Sequence, residues 1–161
     1  MPDENQTLPP QQQPEPGKES EMSPRPEYRG EDYKAAGKLK GKVAIITGGD
    51  SGIGRSVAVH YAREGADSVI VHLKETKDAD VTILYLDQHQ DAEETKRAVE
   101  EQGRKCLTFA GDVADRDVCR KVIDETLSAF GKLDILVNNA AEQHPQEKLE
   151  DISEEQWEKT F

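Results

Sequence analysis

Glycine and small polar residues at positions 47–54 are the part of this sequence best suited to chemistry. The segment reads Thr-Gly-Gly-Asp-Ser-Gly-Ile-Gly and directly follows the apolar run Val-Ala-Ile-Ile. The first backbone N–H groups of a helix have no partner within the helix and carry partial positive charge, and glycines let an anion approach them closely. The spacing therefore indicates a phosphate-binding loop. The alternative is a strand-to-helix turn that binds nothing.

A phosphate-binding loop needs a strand before it and a helix after it, and the sequence predicts both. The apolar run at 43–47 is typical of a strand covered on both faces, as in a parallel sheet. Apolar residues then recur at helical spacing from Ile53 to Ala62, and Gly65 follows as a C-terminal cap. The predicted order is strand, tight turn, helix.

Further strands are predicted at 106–110 and 134–138, but two apolar runs compete for the place of the second strand. These runs are 69–73 and 81–86, and only the seven residues 74–80 separate them. A parallel crossover needs about a dozen residues or more. Either the two runs pair as an antiparallel hairpin or one of them lies outside the sheet.

Two further helices are predicted from apolar periodicity and end signals. The first places Ala92, Ala98 and Val99 on one face and ends at Gly103. The second begins after Asp115 as its N-cap and ends at Gly131. Its apolar stripe, which we expect to lie in the core, consists of Val118, Val122, Leu127 and Phe130.

Composition and charge restrict the possible functions. The 161-residue chain has a formal net charge of -12, which argues against nucleic acid or an anionic membrane as a partner, because both need clustered Lys and Arg. No apolar run approaches the roughly 20 residues of a membrane span, and the N-terminus lacks the apolar segment of a secretory signal. We therefore expect a cytoplasmic protein. Its histidines do not cluster, so no metal site is predicted.

Three motifs together resemble those of the short-chain dehydrogenase/reductase family. They are Thr-Gly-x-x-x-Gly-x-Gly at 47–54, Gly-Asp-Val at 111–113 and Asp-Ile-Leu-Val-Asn-Asn-Ala-Ala at 134–141. The resemblance runs from about residue 40 to the last residue. It is greatest to bacterial members with an extended N-terminal tail, which have close counterparts of the segments 23–28 and 140–145. It implies an α/β fold: a Rossmann-like doubly wound parallel sheet, incomplete, with strands in the order 3-2-1-4 and right-handed crossovers. It also implies an insertion of about a dozen residues around 69–86, because each of the two competing runs keeps one of the neighbours expected in the family.

The resemblance also implies a dinucleotide site at the carboxyl ends of the strands. In the family, Asp112 accepts a hydrogen bond from the adenine amino group, Asn138 and Ala140 line the nicotinamide ribose, and Asn139 has a structural role in bracing the central strands. From spacing alone, Asp112 is equally a turn or helix-cap residue. The implied cofactor-binding residues are Thr47, Gly48, Asp50, Ser51, Gly52, Ile53, Gly54, Asp87, Asp112, Val113, Asn138 and Ala140.

The preference for NAD or NADP depends on charges near the adenosine ribose. Asp50 and Asp87 would repel a 2′-phosphate, and the first cation after the start of the loop is Arg55. This arrangement favours NAD. NADP stays open, because Tyr85 rather than an acidic residue stands at the usual discriminating position.

No catalytic residues are predicted in this chain. The family uses a Tyr-x-x-x-Lys pair for general acid/base chemistry, but the residues four positions after the four tyrosines are Asp32, Gly37, Gly65 and His89. The favoured interpretation is the N-terminal cofactor-binding part of an oxidoreductase that transfers hydride between nicotinamide and a small carbonyl or alcohol, inactive alone. The alternatives are a non-catalytic nucleotide-binding or subunit-docking module and a truncated product that does not fold stably.

The first 38 residues differ in composition from the rest. They hold seven of the eight prolines and almost no aliphatic residues, which predicts a disordered or extended tail at 1–38. The partial NAD(P)-binding domain would then occupy 39–161. By resemblance, residues 22–33 dock on a neighbouring subunit, and the full-length form is a homo-oligomer.

Overall fold

A parallel sheet of four strands organises the chain. The structure is a computed structural model that describes residues 19–72, 87–141, 150, 152–154 and 157. The strands are β1 Val43–Thr47, β2 Asp67–His72, β3 Cys106–Ala110 and β4 Ile135–Val137. They all pair in parallel, in the spatial order β3-β2-β1-β4. The order predicted from the sequence is confirmed.

The second strand of the sheet is the first of the two competing apolar runs. Strand β2 pairs with β1 on one side, where Ile46 lies opposite Ile70, and with β3 on the other, where Val71 lies opposite Phe109. It begins at Asp67, two residues earlier than predicted. The competing run 81–86 and the predicted last residue of the first run, Leu73, lie outside the described residues.

Helices cover both faces of the sheet, which makes the fold doubly wound. The α-helices are α1 Gly52–Arg63, α2 Asp87–Glu100 and α3 Arg116–Phe130, and a short 3-10 helix covers Glu19–Glu21. Within the described ranges, none of these helices has the length and apolar character needed to cross a membrane. On one face, α1 and α2 enclose a core of Ala44, Ile46, Ala58, Ala62, Ile70, Val99 and Cys106. On the other face, Val122 of α3 packs with Ile45, Val69 and Val71.

The predicted core stripe of α3 is wrong at one position. Val122 is buried, and Val118 and Phe130 pack against the core, but Leu127 is 44% exposed. Thr126 takes the buried position, because it follows Val122 by four residues and so lies above it on the same helix face. Its hydroxyl donates to the Val122 carbonyl at 2.6 Å, which satisfies the buried polar group.

An exposed apolar area remains on the α3 side of the sheet. Leu136 of β4 lies opposite Ile45, whose side chain belongs to the core on that side, and Leu136 is 57% exposed. Ile123 of α3 is 42% exposed beside the exposed Leu127. The described part of the chain therefore leaves apolar surface uncovered on this side.

The segment 19–38, here called the N-terminal strap, lies against α1 and α2 of its own chain. The Tyr28 hydroxyl donates to Glu94 at 3.2 Å, and the Tyr33 hydroxyl donates to Glu64. The sequence analysis assigned this segment to the tail. Its predicted docking on a neighbouring subunit stays a prediction, as does the domain boundary at residue 39.

Candidate functional site

The candidate site lies at the carboxyl edge of the sheet, where the strands end side by side. The Gly48 amide, just after β1, donates to the Val71 carbonyl at 2.7 Å, and the Gly111 amide, just after β3, donates to the His72 carbonyl at 2.8 Å. Open α/β sheets bind their ligands outside this edge, where the chain turns from strand to helix.

The glycine loop enters α1 without a side chain to cap the helix. Ser51 is the N-cap residue in an extended conformation, and its side chain makes no capping hydrogen bond within the described ranges. Arg55 is the first residue of α1 whose backbone amide has an acceptor in the helix: it donates to the carbonyl of the N-cap residue, Ser51, at 3.0 Å. The earlier amides, at Gly52, Ile53 and Gly54, therefore have no acceptor in the helix. Gly52 has a positive φ of 51°, which suits glycine.

Gly54 permits a close approach between the helix and the loop. A Cβ atom there would lie 2.0 Å from the Gly48 carbonyl oxygen and 2.7 Å from Asn139 Nδ2, so any side chain would force the two segments apart. The third glycine of the motif therefore has a packing reason that is independent of any ligand.

Thr47 and Asn139 fasten the loop to the end of β4. The Thr47 hydroxyl oxygen accepts from the Asn139 amide at 2.9 Å and from the Ala140 amide at 3.0 Å. The Asn139 side-chain amide donates to the Thr47 and Gly48 carbonyls, each at 3.0 Å. Strand β4 covers Ile135–Val137, one residue shorter at each end than the predicted 134–138, and beyond its end the Asn139 amide bonds to the Thr47 hydroxyl rather than to a backbone carbonyl. The exposed Asn138 and Ala140 are thereby held beside the glycine loop.

The predicted adenine-side residues lie in the turn after β3. The Asp112 carboxylate accepts from the Ala114 amide at 2.8 Å, so it stabilises its own turn with one oxygen. Val113 is 41% exposed, and its carbonyl accepts from the Cys119 thiol at 3.2 Å. Asp87 is the first residue of α2. The structure thus brings the glycine loop and the β4 end into contact, and the turn after β3 lies farther along the same edge.

Arg55 has a part in this site that the sequence analysis did not predict. Its side chain is only 3% exposed, and its guanidinium donates to the Asp50 carbonyl in the glycine loop through Nη2 at 2.7 Å and through Nε at 3.0 Å. Nε also contacts Thr95 of α2 at 3.0 Å, so Arg55 joins the loop to α2. The sequence did offer one signal for its burial: Arg55 lies three residues before Ala58, which is buried, and so shares its helix face.

Three carboxylates surround the Arg55 guanidinium. Glu19 lies at 2.8 Å, Asp91 at 3.1 Å and Glu94 at 3.6 Å. Burial raises the pKa of the Asp91 carboxyl, and Arg55 opposes that rise. The cation is therefore fully compensated within the protein.

Glu19 is the second unpredicted member of the site. One of its carboxylate oxygens accepts from the Gly52 amide at 2.5 Å, at the first residue of α1, while the other faces Arg55. A carboxylate of the chain itself thus lies on the helix N-terminus. No sequence signal marked it, because the surrounding tail has neither periodicity nor a motif.

An α/β sheet with a glycine loop at its carboxyl edge defines a class of nucleotide-binding proteins. The family model described as short chain dehydrogenase matches residues 42–161. The chain belongs to the short-chain dehydrogenase family. The predicted membership is confirmed.

Individual relatives agree with this assignment. General stress protein 39 of Bacillus subtilis (strain 168) is 55% identical over 147 residues, which cover 91% of this chain and 47% of that protein. A crystal structure of a short chain dehydrogenase from Mycobacterium paratuberculosis bound to NAD has a TM-score of 0.64 at 38% identity, covering 76% of this chain and 45% of that one. A crystal structure of a short chain dehydrogenase from Burkholderia cenocepacia J2315 in complex with NADP has a TM-score of 0.62 at 32% identity. The match covers 76% of this chain and 44% of that one.

The chain spans about half the length of the curated relatives it matches, and it corresponds to their N-terminal part. Within the described residues, no group of three or more His, Cys, Asp or Glu side chains could hold a metal ion. The described site consists of backbone amides, small polar side chains, and Arg55 with the three carboxylates around it.

Proposed function

We propose that this chain is the N-terminal coenzyme-binding part of an NAD(P)-dependent oxidoreductase, whose full-length form transfers hydride between nicotinamide and a small carbonyl or alcohol. The observation that carries the proposal is the carboxylate of Glu19 on the Gly52 amide at 2.5 Å. An anionic oxygen already lies where a helix N-terminus would hold a diphosphate, so the position accepts negative charge.

The residues present fit a dinucleotide. The amides of Gly52, Ile53 and Gly54 would hold the diphosphate, and Gly54 leaves the space for close contact that a Cβ would fill. Exposed Asn138 and Ala140 would line the nicotinamide ribose, and Thr47 and Asn139 keep them in register with the loop. In the turn after β3, the Asp112 carboxylate has a second oxygen for the adenine amino group, next to the Val113 backbone. The coenzyme would supply the hydride acceptor or donor.

The charges near the loop favour NAD over NADP. A 2′-phosphate needs a cation with unused capacity, whereas the Arg55 guanidinium faces three carboxylates and the Asp50 carbonyl. Titration calorimetry with the two dinucleotides tests this preference. We expect tighter binding of NAD, and tighter binding of NADP would refute the preference.

We propose that the 161-residue chain alone does not turn over. It has no Tyr-x-x-x-Lys pair, and a bound coenzyme without a proton donor gains little rate. In incubations with NADH and a panel of aldehydes and ketones, the absorbance of NADH should fall no faster than in a blank without protein. Oxidation of NADH by any of them, absent in a Gly54→Ala control, would contradict this expectation.

The full-length form is proposed to be a cytoplasmic homo-oligomer.

A second candidate function for the chain, a non-catalytic docking module, is favoured by one observation: Ile123, Leu127 and Leu136 leave apolar surface exposed on the α3 side. Thermal melting distinguishes the candidates. Cooperative melting that shifts upward with NAD supports coenzyme binding, whereas cooperative melting indifferent to both dinucleotides supports docking. Melting without cooperativity indicates a product that does not fold stably.

A further inference from the structure

We infer that the first part of the N-terminal strap is a self-inhibitory gate, in which Glu19 occupies the diphosphate position and must leave before a dinucleotide can bind. The inference rests on the proposed function, because it assumes that α1 receives a diphosphate. It adds a regulatory contact that lies outside the glycine loop and outside the β4 end.

The contact has the chemistry of a ligand. Glu19 is 14% exposed, and it uses both carboxylate oxygens: one accepts from the Gly52 amide at 2.5 Å and the other pairs with Arg55 at 2.8 Å. A carboxylate at a helix N-terminus is stabilised by the unpaired amides and by the helix dipole. These are the same forces that hold a phosphate there.

Carboxylate and diphosphate cannot share the position. The Gly52 N–H has one hydrogen to donate, and two anions within a few ångströms repel each other. A phosphate oxygen can therefore bind the Gly52 amide only after Glu19 has left it. Arg55 does not lose all its partners when Glu19 leaves, because Asp91 and Glu94 stay within 3.6 Å, so release does not strand a buried cation.

Only the beginning of the strap needs to move. Farther along, the buried Glu64 carboxylate accepts from the Tyr33 hydroxyl and from the Lys38 amide at 2.7 Å, and the Tyr33 hydrogen bond lowers the pKa of Glu64. Tyr28 lies over Arg55, with the guanidinium carbon 5.2 Å from the ring centroid. The segment from Tyr28 onward thus has attachments that do not involve Glu19, so Glu19 can leave while that segment stays in place.

Calorimetric titration with NAD on the whole 161-residue chain tests the gate. The variants are Glu19→Gln, which keeps the size of the side chain but removes its charge, and Glu27→Gln, a matched control that makes the same charge change at an exposed position of the strap. We expect Glu19→Gln to bind NAD about fivefold tighter than the wild type does. That is the gain expected if Glu19 occupies the position in about four-fifths of wild-type molecules, because only the remaining fifth can bind. Glu27→Gln should bind as the wild type does.

The outcomes separate the gate from the function beneath it. Equal affinity of the wild type and Glu19→Gln overturns the gate and leaves coenzyme binding intact. An equal gain in both variants also overturns it, because general charge repulsion would then be the cause. If none of the three proteins binds NAD or NADP, the proposed function fails, and the gate fails with it.

Hydrogen exchange on the wild type gives a test that needs no variant. The Met22 amide donates to the Glu19 carbonyl at 3.1 Å, whereas the Tyr33 amide donates to the Gly30 carbonyl at 2.9 Å in the attached part. Saturating NAD should speed exchange at Met22 and leave Tyr33 unchanged. Unchanged exchange at Met22 in a sample shown to bind NAD would overturn the gate.

Discussion

The two edges of the same sheet use their polar groups in opposite ways. At the amino edge, Asp134 accepts from the Val43 amide at 2.9 Å and pairs with Lys42 at 3.1 Å and Lys132 at 2.9 Å. Asp67 there accepts from the Lys105 amide at 2.9 Å. Charged side chains thus satisfy the protein's own backbone at this edge.

At the carboxyl edge, glycines replace those side chains and leave amides for other acceptors. Thr47 and Asn139 hold the loop from behind rather than covering it. The difference teaches that charge density alone does not mark a functional edge. The charged side chains at the amino edge are paired with one another and with the backbone, whereas at the carboxyl edge the amides of Ile53 and Gly54 have no acceptor within the helix and the Gly52 amide is bonded to Glu19. Changes at the amino edge should therefore alter stability alone, and changes at the carboxyl edge should alter stability and binding together.

The largest effect is expected for Gly54→Ala. The new Cβ would lie 2.0 Å from the Gly48 carbonyl oxygen, so the helix must move away from the loop. We expect the free energy of unfolding to fall by about 3 kcal/mol or more, with loss of dinucleotide binding, as measured by urea unfolding and calorimetry.

Gly103→Ala is the control for this change. Gly103 lies after the end of α2, its φ is 71°, and a Cβ there meets nothing within 4 Å, whereas Gly54 lies in the first turn of α1. Its cost should be limited to about 1–2 kcal/mol of backbone strain. Equal costs for the two variants would show that the close approach at Gly54 is unimportant.

The second largest effect is expected for Thr47→Val, which keeps the shape of the side chain but removes the oxygen. The amides of Asn139 and Ala140 would lose their acceptor. A fully buried donor left without an acceptor costs about 1–3 kcal/mol. These two donors are part-buried, so we expect about that loss for the pair, and the β4 end would no longer be held beside the loop. Urea unfolding and NAD titration should both show a loss, and Thr47→Ser should restore both. A loss of stability without any change in affinity would break the proposed link between this contact and the site.

At the amino edge, Asp134→Asn should reduce stability at pH 7 without changing the affinity for NAD. The substitution removes the charge that pairs with Lys42 and Lys132 but leaves an oxygen for the Val43 amide. Urea unfolding measures the first effect and calorimetry the second. A change in the dissociation constant for NAD as large as that in Thr47→Val would erase the distinction between the edges.

The same carboxylate predicts an acid-dependent loss of stability. Hydrogen bonds from Lys132 above all, then from the Val43 amide, lower the pKa of Asp134 to about 2. Because the folded-state pKa is below the unfolded value, its contribution is complete above about pH 4 and falls away as the pH drops toward 2. Comparing unfolding of the wild type and Asp134→Asn from pH 5 to pH 2 should show the difference between them shrinking. A constant difference over that range would contradict the assignment.

The smallest effect is expected for Arg120→Gln on α3, which belongs to neither edge. Arg120 lies 3.4 Å from Asp117, and the two side chains are 68% and 90% exposed. Exposed pairs of this kind contribute about 0.5 kcal/mol or less. Neither stability nor NAD affinity should change measurably, and a larger effect would mean that surface charge, rather than the contacts at either edge, governs both quantities.

Local patterns predicted most of the fold. Strands β1 and β3 have the predicted bounds, and Asp115 caps α3 by accepting from the Asp117 amide at 2.8 Å. Gly131 ends that helix with a φ of 75°. Such features depend on residues a few positions apart, so the sequence displays them directly.

Contacts between distant segments were beyond the reach of those patterns. The place of β2 depended on which of two similar runs pairs with β1, and the buried position on α3 fell to Thr126 rather than Leu127. The ion pair between Arg55 and Glu19 could not be predicted, because Glu19 belongs to a tail whose sequence shows no periodicity. The order of residues along the chain thus specified the strands, the glycine loop and the caps, because short-range geometry governs them. The tertiary structure alone decided that Arg55 is buried and that the Glu19 carboxylate lies at the start of α1. Both follow from the packing of the strap against α1 and α2, and these contacts exist only once segments far apart in the chain have come together.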